Sequence, residues 1–344
     1  MRPGPVEREA PVATISDVAR MAGVSTATAS RALNGKSTVD PELAARVMTA
    51  ARQLSYQPNG PARNLRRQEA AVLALIISDV ENPFFTSIAR GVEDVAHEVG
   101  YSVVLCNSDE NAEKERRYID VAIQERVAGV ILSPTGEATT VDPLLARGTP
   151  MVTVDRPLTD RTSDTVLVDT KESAREATAH LMSHGYRRIG CITGPNGVRT
   201  ADDRLAGYRE ALRAAKHPSS ARLVRRTEYR EAGARRAMLD LFDQAEPPDA
   251  VLVANSAMAV GVLAALKELA LRPGADVGVV AFDETPWAAL VDPPLSVVAQ
   301  PAYEVGQAAA RLLLSRIEDT DRAPTTTVLG ARLIARGSSA GPES

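Results

Sequence analysis

The sequence predicts an α/β protein, with a small all-α head at the N-terminus and a body of two doubly wound parallel sheets. Three observations carry this reading. Two short helices joined by a glycine turn stand at Thr14–Asn34. From Ala70 onward, short apolar runs alternate with helical segments, the pattern of parallel sheets covered by helices. Charge is also divided. Residues 14–68 hold eight basic and three acidic side chains, net +5; residues 1–13 balance at zero, so with −4 overall, residues 69–344 carry −9.

In the head, Thr14 caps a first helix, and Asp17 three residues later completes a capping box. Ile15, Val18, Ala19 and Ala22 recur at helical spacing, and Gly23 ends the helix by taking a positive φ. Val24 packs the turn, and Ser25 caps a second helix from Thr26 to about Leu33. Such a helix-turn-helix can place its second helix in the major groove of DNA. A helical hairpin of an ordinary core is the competing reading. Against it, the second helix has almost no large apolar residue to bury, and its hydroxyls suit phosphate oxygens. Asp40-Pro41 opens a third helix, with Leu43, Ala44, Val47, Met48, Ala51 and Leu54 on its inner face. Tyr56-Gln-Pro-Asn59-Gly-Pro61 breaks it, and Leu65 follows in a basic segment.

The order T-x-x-D-V-A-x-x-A-G-V-S-x-x-T-x-S-R-x-L-N from Thr14 to Asn34 resembles the headpiece of the LacI/GalR family of transcriptional regulators. The resemblance implies that Thr26, Ala27 and Arg31 face base edges. It implies that Thr14, Ser25, Thr28, Ser30 and Asn34 touch the DNA backbone, with Tyr56 and Asn59 also at the interface. It implies a hinge helix at about 59–69, where Ala62, Arg63 and Leu65 fit the pattern A-x-x-L and the leucine wedges into the minor groove. On composition alone, that segment reads as a solvated linker.

The body follows in order. Val72–Ile77, Ser102–Cys106, Gly129–Leu132 and Met151–Val154 form a first strand series, with helices such as Ser87–Val99 and Glu113–Arg126 between. Thr165–Val168, Ile189–Thr193, Leu223–Arg226, Ala250–Val253 and Gly278–Phe282 form a second. The resemblance implies a periplasmic-binding-protein-like core crossed three times by the chain. The expected limits are 1–13 as a disordered tail, 14–58 as the head and 59–69 as the hinge. The first subdomain is expected at about 70–162 and 299–323, the second at about 163–298 and 324–336. A last strand is expected at Thr327–Ala335, and 337–344 as a disordered tail without a tetramerising heptad run.

Ligands of open α/β folds bind at the carboxyl ends of strands. There the sequence offers Phe84 and Phe85 after the first strand, then Asp155, Asn255 and Asp283, each a polar residue ending an apolar run. Trp287 lies one turn beyond Asp283 and is placed to stack on a sugar, and Gln300 follows the strand at Ser296–Val298. The two phenylalanines serve equally well as core. Phe84, Phe85, Asp155, Asn255, Asp283 and Gln300 resemble the family's effector contacts. The family's effector-holding arginine is expected just ahead of Arg204-Leu-Ala-Gly207, but Asp202 stands there, with Arg199 as a substitute nearby. That reading favours a neutral polyol or amine-bearing sugar over an acidic one.

Composition narrows the class. A hydrophobic content of 44% with 24% charged residues is globular, no apolar run is long enough for a membrane span, and Met1–Pro11 lacks a secretory core. A cytoplasmic protein is expected. Cys106 and Cys191 read as free buried thiols, and the four histidines form no metal-binding pattern; no cofactor is expected. Gly337-Ser-Ser-Ala-Gly341 fits G-x-S-x-G, but no histidine follows it, and an enzyme is not expected. The expected function is a homodimeric, sequence-specific transcriptional regulator, most simply a repressor, controlled by a sugar bound in the body. Two alternatives stay open: a constitutive DNA-binding protein with a vestigial core, or a sugar carrier.

Overall fold

The computed structural model describes residues 13–33, 39–54, 70–136, 139–159, 161–217 and 220–341. Residues 13–33 and 39–54 form one unit, and the body from Ala71 onward forms another.

The head consists of α1 (Ile15–Ala22), α2 (Thr26–Leu33) and α3 (Pro41–Gln53). Thr14 and Asp17 close the capping box on α1, and Gly23 ends it at φ +67°. The core is made of small residues. Val18, Ala19, Ala22, Ala29, Ala32, Val47, Ala50 and Ala51 are buried together. Alanines let three short helices approach closely, which explains the scarcity of large apolar residues in α2. Met48 is a correction: it is exposed, and Ala50 takes the inner place.

The body begins with β1 (Ala70–Ile77), α4 (Pro83–Glu98), β2 (Ser102–Asn107), α5 (Ala112–Gln124), β3 (Val127–Leu132), α6 (Asp142–Ala146) and β4 (Met151–Val154). It continues with β5 (Asp164–Val168), α7 (Thr170–Ser183), β6 (Ile189–Thr193), α8 (Arg199–Ala214), β7 (Val224–Arg226) and α9 (Glu231–Phe242). Then come β8 (Ala250–Val253), α10 (Ser256–Glu268), β9 (Gly278–Phe282), β10 (Ser296–Ala299), α11 (Ala302–Glu318), β11 (Thr326–Leu329) and β12 (Arg332–Ile334). One sheet has the order β11-β5-β4-β3-β1-β2, the other β12-β10-β9-β8-β6-β7.

The central strands of both sheets are covered on both faces, so they read as unbroken apolar runs. In β1, Leu73, Leu75 and Ile77 pack with α4 and α11, while Ala74 and Ile76 pack on the other face with α5 and α6. In the second sheet, Val251 and Val253 meet α9 and α10, and Leu252 meets α7 and α8. Gly91 and Gly306 bring α4 and α11 together: a Cβ at Gly91 would lie 2.2 Å from the Tyr303 carbonyl oxygen.

The chain passes between the lobes at Asp169, at Gln300–Pro301 and at Gly330–Ala331. Three expectations are corrected. β5 belongs to the first sheet, paired in parallel with β4 and β11, so residues 163–168 and 326–329 leave the second subdomain. The single last strand is two: β11 joins the first sheet, and β12 runs antiparallel to β10 in the second. Residues 337–341 are packed, not a loose tail. Ser338 and Ser339 are fully buried, with Ser338 Oγ donating to the Val279 carbonyl at 2.7 Å. Cys106 and Cys191 are free and buried, and burial pushes the Cys191 thiol up to about 12.

Candidate functional site

In the head, Thr26, Ala27 and Arg31 lie on the exposed face of α2, while Ala29 and Ala32 face inward. Ser25 Oγ accepts from the Thr28 amide at 3.1 Å, which makes Ser25 the cap of α2. The Thr14 hydroxyl is engaged with Asp17 at 2.6 Å. Thr28 and Ser30 are half-buried. Asn34, Tyr56, Asn59, Ala62, Arg63 and Leu65 lie outside the described residues.

In the body, a cavity of about 430 Å³ is lined from both lobes, within the roughly 300–1,000 Å³ typical of small-molecule clefts. Its lining comes from the loops that follow β1 to β4 and β6 to β10, the carboxyl ends of the strands. The first lobe gives Asp79, Asn82, Phe84, Phe85, Asp109, Glu110, Thr135, Asp155 and Arg156. The second gives Pro195, Val198, Thr200, Arg204, Glu228, Tyr229, Arg230, Asn255 and Asp283, with Gln300 at the crossover.

The backbone is strained where these side chains are aimed. Asp109, Glu110, Asp155 and Asp283 all have positive φ, at 57°, 53°, 67° and 74°, a conformation that costs a non-glycine residue on the order of 1–3 kcal/mol and clusters at functional sites. Asp155 and Asp283 hold equivalent places in the two lobes. Each follows a strand, and its amide donates to the neighbouring strand, at Val166 and Val298 respectively.

The polar groups are tightly organised. Arg156 forks onto Glu110 through bonds of 2.7 and 2.8 Å and reaches the Pro134 carbonyl; its Nε is 3.1 Å from Asp155. Arg204 lies 4.4 Å over the Phe282 ring and donates to the Ala254 carbonyl at 2.9 Å. Asn255 caps α10 by accepting from the Met258 amide, and Asn82 caps α4. Burial holds the Asp283 carboxyl above the usual carboxylate range, against the pull of Arg204. Arg204 Nε and Gln300 Oε1 are buried without a hydrogen-bond partner among the described residues. Buried polar atoms are almost always paired, so these two are available to the donor and acceptor groups of a ligand. Phe84 and Phe85 meet edge to face at 5.2 Å and serve both as core and as cavity wall.

Three sequence expectations are corrected. Arg199 is largely exposed and pairs along its helix with Asp203 at 2.8 Å. Asp202 is held by Arg226, which also braces the Gly194 and Pro195 carbonyls. Trp287 lies in a separate outer cavity, because the chain turns at Asp283 and the 3₁₀ turn Pro286–Ala289 carries the indole away. The guanidinium that lines the cavity from this helix is that of Arg204, within the Arg-Leu-Ala-Gly element. Sequence reading also missed Asp79, Glu110, Arg156, Tyr229 and Arg230. Arg156 adjoins Asp155 in V-D-R-P and was legible by adjacency; Tyr229 and Arg230 follow a short, weakly apolar strand and carried no signal.

Residues 14–59 match the profile "Bacterial regulatory proteins, lacI family", and 178–339 match "Periplasmic binding protein-like domain". The ribose operon repressor of Halalkalibacterium halodurans is 36% identical over 332 residues, spanning 94% of this chain and 97% of that one. The HTH-type transcriptional repressor CytR of Escherichia coli is 32% identical over 335 residues, spanning 96% and 98%. The chain belongs to the lacI family of bacterial regulatory proteins. Among solved structures of such regulators, a CelR–cellobiose complex is 31% identical with a TM-score of 0.73, covering 95% of this chain and 99% of that one. The lac repressor dimer bound to operator and the anti-inducer ONPF is 25% identical with a TM-score of 0.86, covering 96% and 99%. As a lacI-family member, the chain is a DNA-binding transcription regulator, and its relatives are repressors rather than enzymes. No helix among the described residues is long and apolar enough to cross a membrane.

Proposed function

We propose that the chain is a cytoplasmic homodimeric repressor whose affinity for an operator is set by a neutral monosaccharide or related polyol in the cavity between its lobes. The observation that carries this is the pairing of Asp155 and Asp283 around buried, unpartnered Arg204 Nε and Gln300 Oε1, beside the Phe84 and Phe85 rings. Carboxylates and guanidinium groups fixed in this way accept from and donate to successive hydroxyls, and aromatic faces cover the apolar side of a sugar ring. The cavity is lined by six acids and three arginines. That excess disfavours an acidic ligand, on different grounds from those that Asp202 suggested. The relatives' names, a ribose operon repressor and a cellobiose complex, support a carbohydrate.

On the DNA side, Thr26, Ala27 and Arg31 read bases from the exposed face of α2, while Ser25, Thr28 and Ser30 stand nearest the phosphates. Two-fold symmetry then matches two half-sites. The edge strand β2 exposes Val104 and Leu105, and α5 exposes Val121, an apolar surface suited to a second copy. Calorimetric titration with a panel of aldopentoses and aldohexoses tests the ligand. A saturable site lost in Asp283→Ala supports the reading; no binding across the panel refutes it.

A further inference from the structure

Arg230 precedes α9 in the second lobe, and its partners lie in the first. It donates to Asp79 after β1 through Nη1 and to Asp109 after β2 through Nη2, the latter at 2.8 Å. Glu81 stands 3.7 Å from the same guanidinium. The receiving side is itself fixed: Asp79 Oδ1 accepts the Glu81 amide at 3.0 Å, and Asp109 Oδ2 pairs with Lys114 at 3.2 Å. Asp79 is 8% exposed while Arg230 is 41% exposed, so the bridge has one buried and one wet side.

Arg230 and Asp79 line two cavities at once. The inner one is the 430 Å³ site described above. The outer one, about 760 Å³, contains Trp287, Val260, Arg235 and Arg236. The bridge between lobes therefore stands as a wall between the two spaces.

We infer that Arg230 limits the length of ligand the protein accepts: its ion pairs with Asp79 and Asp109 close the inner cavity on the side that faces Trp287. This rests on the carbohydrate reading above. A second ring would have to pass where the guanidinium lies, towards Trp287. Arginine suits the task because its planar fork holds one donor towards each carboxylate in fixed geometry, where a lysine ammonium is a point charge on a flexible stem.

The test uses the full chain, with D-ribose and D-glucose as one-ring probes and cellobiose and maltose as two-ring probes, titrated calorimetrically against wild type, Arg230→Ala and Arg230→Lys. The expected result is at least a tenfold preference of wild type for a one-ring sugar, reduced at least tenfold in Arg230→Ala and partly in Arg230→Lys. Equal losses for both lengths, or wild type binding both equally, overturn the inference. A second arm needs no sugar. Spin labels at Glu113→Cys and Ala245→Cys report the separation of the lobes, the native thiols being buried. Arg230→Ala is expected to broaden and lengthen that distance; an unchanged distribution overturns the wall. Should wild type bind none of the four probes and no sugar of the aldopentose and aldohexose panel while the distance responds to Arg230→Ala, the carbohydrate reading fails and the wall between the lobes stands.

Discussion

Gln300 Nε2 donates to Asp283 Oδ1 across 2.7 Å, joining the chain crossover between the lobes to the carboxylate at the end of β9. Asp283 also accepts the Ser256 amide at the start of α10. A ligand bonded to Asp283 would therefore act on a residue tied to the chain crossover between the lobes.

Asp283 is expected to trade stability for binding. Burial raises its pKa in the folded protein. A raised carboxyl pKa means that the folded state holds its proton to higher pH than the unfolded state. The stability from the protonated form is present below the ordinary carboxylate value of 3.8 and is lost as pH climbs through the folded value. Asp283→Asn removes that loss. Urea midpoints at pH 4–8 should fall with rising pH more in wild type than in Asp283→Asn, and the variant should bind sugar at least tenfold more weakly.

Arg156 is expected to be structural as well as ligand-facing. It is 4% exposed and answers both Asp155 and Glu110. Arg156→Ala leaves a buried carboxylate without its cation, which costs about 3–5 kcal/mol. Urea unfolding of the ligand-free chain checks this; Glu110→Gln, at a partly exposed position, should cost clearly less.

Much of this was legible in the sequence. The doubly wound sheets were, because burial on both faces writes continuous apolar runs such as Val72–Ile77. Asp155, Asn255 and Asp283 were, because each is a polar residue where such a run stops. Arg230 was not: β7 is short and only partly buried, so neither hydropathy nor spacing marks its end. The lobe to which β5 belongs was also hidden. Its apolar pattern is that of any parallel strand, and only pairing with β4 and β11 settles it. Trp287 was misplaced because spacing from Asp283 assumes a continuing helix, whereas the chain turns there.

In the head, Gly23 is required twice. It adopts φ +67°, and a Cβ there would stand 2.7 Å from Arg46 Nη2, a group that donates to the Ala22 carbonyl at 2.6 Å. Gly23→Ala should destabilise the head by about 1–2 kcal/mol, the cost of the left-handed conformation to a residue with a Cβ. Thermal unfolding followed by circular dichroism, with operator affinity alongside, measures it.

The β2 edge offers a test of assembly. Leu105 is 43% exposed and Val104 50%, on a strand with a free edge. Leu105→Asp should shift the chain from dimer to monomer in sedimentation velocity with the fold retained. An unchanged sedimentation coefficient would place the dimer seam elsewhere.

The central claim is that one small ligand in the body governs the grip of the head on DNA. Fluorescence anisotropy with a duplex from upstream of the protein's own gene, at fixed moderate salt, tests it directly, with and without the sugar that binds most tightly. The account predicts at least a tenfold change in operator affinity in wild type and none in Asp283→Ala. Equal affinity with and without saturating sugar in wild type would contradict it.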